Sequence, residues 1–227
     1  MSVGDGRARI MSLLRQGLGR GELSAERKAE LKGRFDVPKR NLVPARSDNS
    51  QDARVALFAE MAKAVQASVT HVSSVTDVPG AVADYLAENN LPSDVVMAPD
   101  EVLDAYPWAE RPLLNIRRDK AVDADQVSVT AAEMGFCETG TLMLTSDAAR
   151  PSTLNFLPEN HIVVLRSSQI TGGYEEGWRH LRERGDDDFM PRTVNMITGP
   201  SRTGDIEQTI QLGAHGPRRL HIIIVED

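Results

Sequence analysis

Apolar and polar positions alternate in a way that predicts strands and helices following one another along most of the chain. Short apolar runs between polar residues are typical of buried strands, and apolar positions three and four apart are typical of one helix face. Helices are predicted at residues 53–67, 78–89, 100–106, 175–184 and 202–212. Strands are predicted at residues 69–75, 94–98, 113–117, 126–131, 141–145, 161–166, 193–198 and 220–225.

This order of elements predicts an α/β fold with a mainly parallel sheet and helices on both of its faces. The closely spaced strands around residues 113–166 predict an antiparallel or mixed part of the sheet. In such sheets, ligands bind beyond the carboxyl ends of the strands. We therefore expect a functional site in the loops that follow strands.

The N-terminal residues differ from the rest and predict a helical arm over residues 1–46, followed by an α/β core domain over residues 47–227. Helical spacing is found in Ile10, Leu13, Leu14 and Leu18. A Pro-containing polar linker is predicted over residues 35–52. The arm has eleven basic and five acidic residues, whereas the core has fifteen and twenty-eight. The arm could dock on the acidic core, dock on a partner or stay solvated, and we predict that the core folds without it.

Composition indicates a soluble, cytoplasmic protein. Hydrophobic residues make up 41% of the chain, but no apolar run approaches the ~20 residues of a membrane helix. The first twenty residues lack the apolar stretch of a signal peptide. The net charge of −7 argues against nucleic acid, because phosphate binding needs a basic face. We expect neither a membrane nor a nucleic acid as partner.

The chain has one cysteine, Cys137, and five histidines that include no HxxxH pair. One thiolate cannot hold an iron–sulfur cluster or a structural zinc ion by itself. We therefore expect no metal site and no cofactor bound by this chain alone, so that any redox cofactor belongs to a partner. Cys137 is interpreted as a small buried residue.

The segment after the predicted strand 193–198 is the first candidate site. Gly199-Pro200 would end the strand and a helix would begin near Ser201, where unpaired backbone N–H groups attract anions. Arg202 can add a bidentate donor for a carboxylate or phosphate. The alternative is a turn that only connects two elements. The candidate ligand-binding residues are Gly199, Pro200, Ser201, Arg202 and Thr203.

A second candidate site is the sequence Glu138-Thr139-Gly140-Thr141. A glutamate beside a glycine turn can act as a general base when apolar neighbours raise its pKa. Thr139, Gly140 and Thr141 are further candidates for ligand binding. The alternative is a carboxylate that only braces the turn. We predict that both segments face one pocket.

Two other side chains could take part in chemistry. His215 lies in a glycine-rich turn before the last strand and can exchange a proton near neutral pH. The alternative is a histidine that holds its loop by a hydrogen bond. Arg150, in the loop after strand 141–145, is a weaker candidate for binding an anion.

Both segments resemble the LUD-domain family, from about residue 53 to the C-terminus. The resemblance is carried by residues 138–142, 157–158, 161–162, 199–207 and 212–217. It implies the fold shared by ribose-phosphate isomerases and CoA transferases. It also implies a non-redox subunit that works with two iron–sulfur partner proteins in oxidizing L-lactate to pyruvate, and that holds a small carboxylate or organizes the complex.

Two alternatives to this role stay open. One is a stand-alone small-carboxylate or CoA transferase, or an isomerase-like enzyme, that uses Glu138, because related CoA transferases have a glutamate nucleophile. The other is an assembly subunit without catalytic activity. Lactate-dependent electron transfer by the purified chain, alone and with its partners, distinguishes the three.

Overall fold

A computed structural model of the protein describes residues 3–19, 21–36, 43–184, 190–204 and 210–227. The chain divides into two compact units, Met1–Leu42 and Val43–Asp227. The smaller unit contains two helices, α1 (Val3–Gly17) and α2 (Ala25–Asp36). Independent folding of the core stays a prediction.

Among its described residues, the larger unit contains four α-helices and twelve strands. The helices are α3 (Gln51–Ala64), α4 (Val78–Glu88), α5 (Glu101–Asp104) and α6 (Tyr174–Arg184). The strands are β1 (Ser68–Val72), β2 (Asp94–Met97), β3 (Asn115–Arg118), β4 (Val127–Ala131), β5 (Met134–Phe136), β6 (Thr141–Thr145), β7 (Asn160–Arg166), β8 (Ile170–Thr171), β9 (Val194–Ile197), β10 (Arg202–Thr203), β11 (Gln211–Leu212) and β12 (Arg219–Val225).

Six strands form a parallel sheet in the order β1-β12-β7-β4-β2-β3. This confirms the predicted α/β fold with a mainly parallel sheet. The antiparallel or mixed part predicted around residues 113–166 is wrong for β3, β4 and β7, which belong to the parallel sheet. It is right for β6, which lies in a separate four-stranded sheet in the order β8-β5-β6-β9, where β5–β6 and β6–β9 are antiparallel. β5 was not predicted, because three residues are too few to show a periodic pattern.

The helix predicted over residues 202–212 is wrong for the residues that the structure describes. β10 and β11 pair as antiparallel strands instead, and residues 205–209 lie outside the described residues. The backbone N–H of Gly213 donates to Ser201 O at 2.9 Å, and the N–H of Ser201 donates to Pro217 O at 2.9 Å. These bonds between distant residues replace the local bonds of a helix. The anion site predicted at a helix N-terminus near Ser201 therefore loses its structural basis.

The parallel sheet separates two hydrophobic cores. Ile162 and Val164 of β7 pack with α4 on one face, whereas Val163 and Leu165 pack with α3 on the other. The second core also receives residues of β6, so the four-stranded sheet lies on the α3 side. A third, smaller core lies between that sheet and α6. Neighbouring residues of one strand belong to different cores because successive side chains of a strand point to opposite faces of the sheet.

Two histidines lie within these cores. His161 is hydrogen-bonded through Nε2 to Thr130 Oγ1 at 2.7 Å, and His221 through Nδ1 to Ser68 Oγ at 2.8 Å. The His221 ring also stacks on Tyr85 with centroids 4.0 Å apart. Burial lowers the pKa of His161 to about 3 and that of His221 to about 4. Both side chains are therefore neutral in the folded protein at neutral pH.

We expect the free energy of unfolding to fall by roughly 2 kcal/mol per buried histidine between about pH 7.5 and about pH 5. The unfolded chain takes up protons on these histidines below about pH 6.5, whereas the folded chain does so only near its lowered pKa values. Their stabilising effect is thus complete above pH 6.5 and is lost as the pH falls. Urea unfolding at several pH values should show a smaller pH dependence in His221→Asn. An unchanged dependence in that variant would contradict the neutral, buried state.

Candidate functional site

The two predicted segments lie side by side. β6 and β9 are antiparallel neighbours in which Leu142 is opposite Ile197. The residues just outside this pair, Thr141 and Thr198, are joined by a hydrogen bond of 2.7 Å between their hydroxyl oxygens. The Glu138–Thr141 turn therefore meets the chain directly before Gly199.

Four hydroxyl groups form a connected cluster at this junction. Thr141 Oγ1 lies 2.9 Å from Tyr174 Oη, and Thr139 Oγ1 lies 2.9 Å from the same atom and 2.7 Å from Thr141 Oγ1. We call Thr139, Thr141, Tyr174 and Thr198 the hydroxyl cluster. Each hydroxyl can donate once and accept twice, so the cluster holds the two segments and the start of α6 together. Tyr174 was missed in the sequence because no local pattern connects it with the threonines.

Gly140 and Gly199 both press against the end of α3. Their φ angles are +65° and +71°, a region that residues with a side chain rarely adopt. A Cβ atom on Gly140 would lie 2.6 Å from the carbonyl carbon of Met61, and one on Gly199 would overlap the carbonyl oxygen of Val65. Close packing on α3 therefore requires both glycines, whether or not a ligand binds nearby.

The candidate ligand-binding residues 199–203 differ in their exposure to solvent. Gly199 and Pro200 are buried, Ser201 and Thr203 are half-buried, and Arg202 is exposed. Ser201 Oγ accepts a hydrogen bond of 3.3 Å from the backbone N–H of His215, whose side chain is exposed.

Glu138 is half-buried, and its backbone N–H donates to Gly172 O at 3.2 Å. Within the described residues, no ion pair joins Glu138 to Arg202. The segments are thus adjacent, while a shared pocket and the roles of Glu138, Arg202 and His215 stay predictions.

A cavity of about 460 Å³ lies beyond the carboxyl ends of β2, β4 and β7. We call it the carboxyl-edge cavity. Asp100 follows β2, Glu133 follows β4, and Arg166 ends β7, and all three line it. This position agrees with the general rule for parallel sheets. Of the residues singled out in the sequence, Arg150 lines this cavity.

Glu133 is the centre of a charged network at this cavity. Its side chain is 10% exposed, and it is ion-paired with Arg150 at 3.1 Å, with His180 at 2.8 Å and with Arg184. Burial by itself raises the pKa of Glu133. Hydrogen bonds from His180 and Arg184, together with the charges of Arg184 and Arg150, outweigh burial and leave the pKa below its ordinary value. Glu133 is therefore an ionised, partly buried carboxylate.

Arg150 is fully engaged by acidic side chains. Its Nε and Nη2 donate to Asp147 Oδ2 at 2.9 and 2.6 Å, Nη1 donates to Glu133, and Asp100 Oδ2 lies 3.7 Å from Nε. The sequence suggested Arg150 as an anion-binding residue. Three of its N–H donors already bind carboxylates of the protein, so Arg150 helps to hold the cavity wall, and its role in anion binding stays a prediction.

The described residues were expected to contain neither a membrane-spanning helix nor a metal site. None of the helices in those ranges is both long and apolar enough to cross a membrane. Within the same ranges, no three His, Cys, Asp or Glu side chains are grouped so that they could hold a metal ion.

The chain belongs to the LUD domain family, whose model matches residues 55–225. The match includes both segments on which the predicted family was based, and it confirms that prediction. A crystal structure of a DUF162 family protein from Deinococcus radiodurans has a similar fold, with a TM-score of 0.57 and 26% identity over 78% of this chain and 99% of that one. The relation to ribose-phosphate isomerases and CoA transferases stays an expectation.

Similar curated proteins include several named lactate utilization protein C. The one from Geobacillus sp. (strain WCH70) is 32% identical over 131 residues, which are 57% of this chain and 53% of the relative. The one from Shouchella clausii is 30% identical over 44% of each chain. This chain therefore spans about half the length of these relatives. The uncharacterized protein YkgG of Escherichia coli K12 is 29% identical over 98% of this chain and 99% of its own length.

Proposed function

We propose that this chain acts in lactate utilization as a non-redox subunit, together with iron–sulfur partner proteins that oxidize L-lactate to pyruvate. The observation that carries the proposal is membership of the LUD domain family combined with similarity to proteins named lactate utilization protein C. The polar carboxyl-edge cavity adds a place where a small charged molecule can bind. These features support a subunit that binds a small carboxylate or organizes the complex.

The partition of chemistry between this chain and its partners follows from the reaction. Oxidation of L-lactate to pyruvate removes two electrons and two protons, so an electron acceptor is needed. Cys137, the single cysteine of the chain, is fully buried. Burial raises the pKa of its thiol against the opposing positive charge of Arg54, and a neutral thiol is a poor metal ligand. Clusters held by cysteine thiolates of the partners would accept the electrons.

We expect Cys137→Ala to leave lactate-dependent electron transfer by the reconstituted system within about twofold of the unmodified protein, because a buried cysteine acts as a small hydrophobic residue. The substitution removes one weak hydrogen bond, from Sγ to Gly172 O at 3.6 Å. Stability should therefore fall by only about 1 kcal/mol. Dye reduction and urea unfolding measure the two effects. A folded variant without electron transfer would show that the thiol takes part.

Growth on lactate is the direct test of the proposed function. A bacterial strain that lacks its own lactate utilization protein C should regain growth on L-lactate as carbon source when it expresses this full chain. Growth on glucose, with and without the chain, is the control. A chain that is soluble and folded in that strain but does not restore growth on lactate would contradict the proposal.

Reconstitution separates the proposal from its alternatives. Addition of the purified chain to the iron–sulfur partner proteins should raise the rate of L-lactate-dependent dye reduction, while the chain alone should reduce no dye. Transfer of CoA between carboxylates by the chain alone would favour the transferase alternative. Complex formation without any effect of L-lactate on the chain would favour an assembly subunit.

A further inference from the structure

The carboxyl-edge cavity contains a buried hydroxyl group that the protein does not satisfy. Tyr106 lines the cavity and is 4% exposed. Among the described residues, its hydroxyl oxygen forms no hydrogen bond of normal geometry. Such a group costs free energy, and most buried hydroxyls have a partner in the protein or in ordered water. A ligand that reaches this hydroxyl after a small side-chain shift would supply the missing hydrogen bond.

Charged residues of the cavity surround this hydroxyl. Burial raises the pKa of Tyr106, the positive charge of Arg166 and a hydrogen-bonding contact with its side chain oppose the rise, and the negative charges of Asp100 and Asp227 add to it. The phenol is thus protonated at neutral pH and can donate its hydrogen. Its proximity to the Arg166 guanidinium places two donors of different kinds next to each other.

Arg166 is less engaged than the other arginines of the cavity. Its side chain is 42% exposed, and its ion pair with Asp227 is long, at 3.9 Å. The carboxylate of Asp227 already accepts hydrogen bonds of 2.8 Å from the hydroxyls of Ser167 and Ser168. By contrast, Arg150 and Arg184 are held by Glu133. A guanidinium has five N–H donors in a fork that matches a carboxylate.

We propose that the carboxyl-edge cavity binds a small monocarboxylate whose carboxylate group accepts hydrogen bonds from the Tyr106 hydroxyl and the Arg166 guanidinium. The inference rests on the proposed function only for the choice of L-lactate and pyruvate as ligands to be tested. Small apolar side chains line the same cavity and leave room for a short alkyl group. They are Ala131, Ala132 and Ala149.

The remaining charges of the cavity favour one carboxylate over two. When a ligand neutralises Arg166, the other charged lining residues are Arg150 and Arg184 against Asp100, Glu101 and Glu133. The wall is then net negative, so the second carboxylate of a dicarboxylate would meet like charge, which disfavours binding. L-lactate and pyruvate should therefore bind at least about tenfold more tightly than succinate.

Titration of the full chain with pyruvate, L-lactate, succinate and inorganic phosphate tests the inference, with ligand-observed NMR and calorimetry as readouts. We expect saturable binding of pyruvate and L-lactate. Tyr106→Phe should weaken this binding about tenfold, because it removes one hydrogen bond to a charged group. Arg166→Gln should weaken it roughly 30-fold or more, and Arg166→Lys should restore it only in part, since the fork is lost.

Two comparisons separate binding from folding. Tyr106→Phe removes a hydroxyl that forms no hydrogen bond of normal geometry within the described residues, so its urea midpoint should be unchanged or higher while binding is weaker. Arg117→Gln is the matched control for Arg166→Gln, because Arg117 is 43% exposed and is also paired with aspartates, away from the cavity. It should bind both monocarboxylates normally. If Arg166→Gln does not fold, Tyr106→Phe alone decides.

Several results would overturn the inference. One is the absence of saturable binding up to about 10 mM, which is ten times the upper end of ordinary Michaelis constants. The others are equal binding of succinate and pyruvate, binding of phosphate alone, and unchanged binding in Tyr106→Phe. Failure of the proposed function has a different signature. If the chain binds pyruvate but does not restore growth on lactate, the binding site is supported and the proposed function is contradicted. If the chain restores growth but binds no carboxylate, the proposed function is supported and the binding site is contradicted.

Discussion

Replacement of Gly140 by alanine should destabilise the core unit by at least about 3 kcal/mol. The left-handed backbone at φ +65° costs an alanine roughly 1–2 kcal/mol. The new Cβ would lie 2.6 Å from the carbonyl carbon of Met61 and would also overlap the backbone of Ala62. Overpacking of this kind costs typically 1–3 kcal/mol more, and the backbone of a helix cannot move aside as a flexible side chain can. Urea unfolding of the purified variant measures the loss.

Gly216→Ala is the matched control. A Cβ atom on Gly216 would lie 3.4 Å from Ser201 Cβ, an ordinary contact, so this variant should stay within about 1 kcal/mol of the unmodified protein. Gly199→Ala should resemble Gly140→Ala, because it combines φ of +71° with overlap on Val65. If Gly140→Ala were as stable as Gly216→Ala, the turn would not be packed on α3 as described.

We expect Glu133→Gln to lower the free energy of unfolding by about 2–3 kcal/mol. Removal of one partner from a fully buried ion pair costs about 3–5 kcal/mol. The cost should be smaller here because Arg184 and His180 have side chains that are 33% and 40% exposed and can turn to solvent. Arg150 keeps Asp147 as a partner. Urea unfolding at neutral pH, where the carboxylate is ionised, gives the comparison.

Glu183→Gln on the same helix as His180 provides the control. Glu183 is 70% exposed and is paired with Arg179 at 3.9 Å, so its loss should change stability by less than about 0.5 kcal/mol. A similar, small effect of both substitutions would mean that Glu133 is far more solvated than the structure indicates. Equal and large losses would point instead to a general sensitivity of α6 to lost charge.

The predicted and observed elements agree best where a periodic apolar pattern is bounded by residues that end a helix or a strand. The helix predicted over residues 53–67 is α3, because Phe58, Ala59 and Ala62 form one buried face. The strand predicted over residues 141–145 coincides with β6. The β10–β11 pair could not be predicted, because hydrogen bonds between residues distant in the chain override the local helical preference of that segment.

The residues of the candidate site also fall into those that could be predicted from the sequence and those that could not. Residues 138–141 and 199–203 could be singled out from the sequence because glycines, hydroxyl residues and charges are adjacent there. Tyr174 joins them only through α6. Tyr106 and Arg166 could not be singled out, because each stands in an ordinary local context and becomes distinctive only at the cavity wall.

Residue types and their local order were enough to predict the family, the α/β class and the lack of enough cysteine ligands for a cluster within this chain. The tertiary structure decided which residues meet. It placed Gly140 and Gly199 on the end of α3 and surrounded Glu133 with two arginines and a histidine. It also left the Tyr106 hydroxyl buried beside Arg166 without a hydrogen bond of normal geometry among the described residues. Such contacts join residues far apart in the chain, and their free energies depend on distance and burial, which local sequence does not encode.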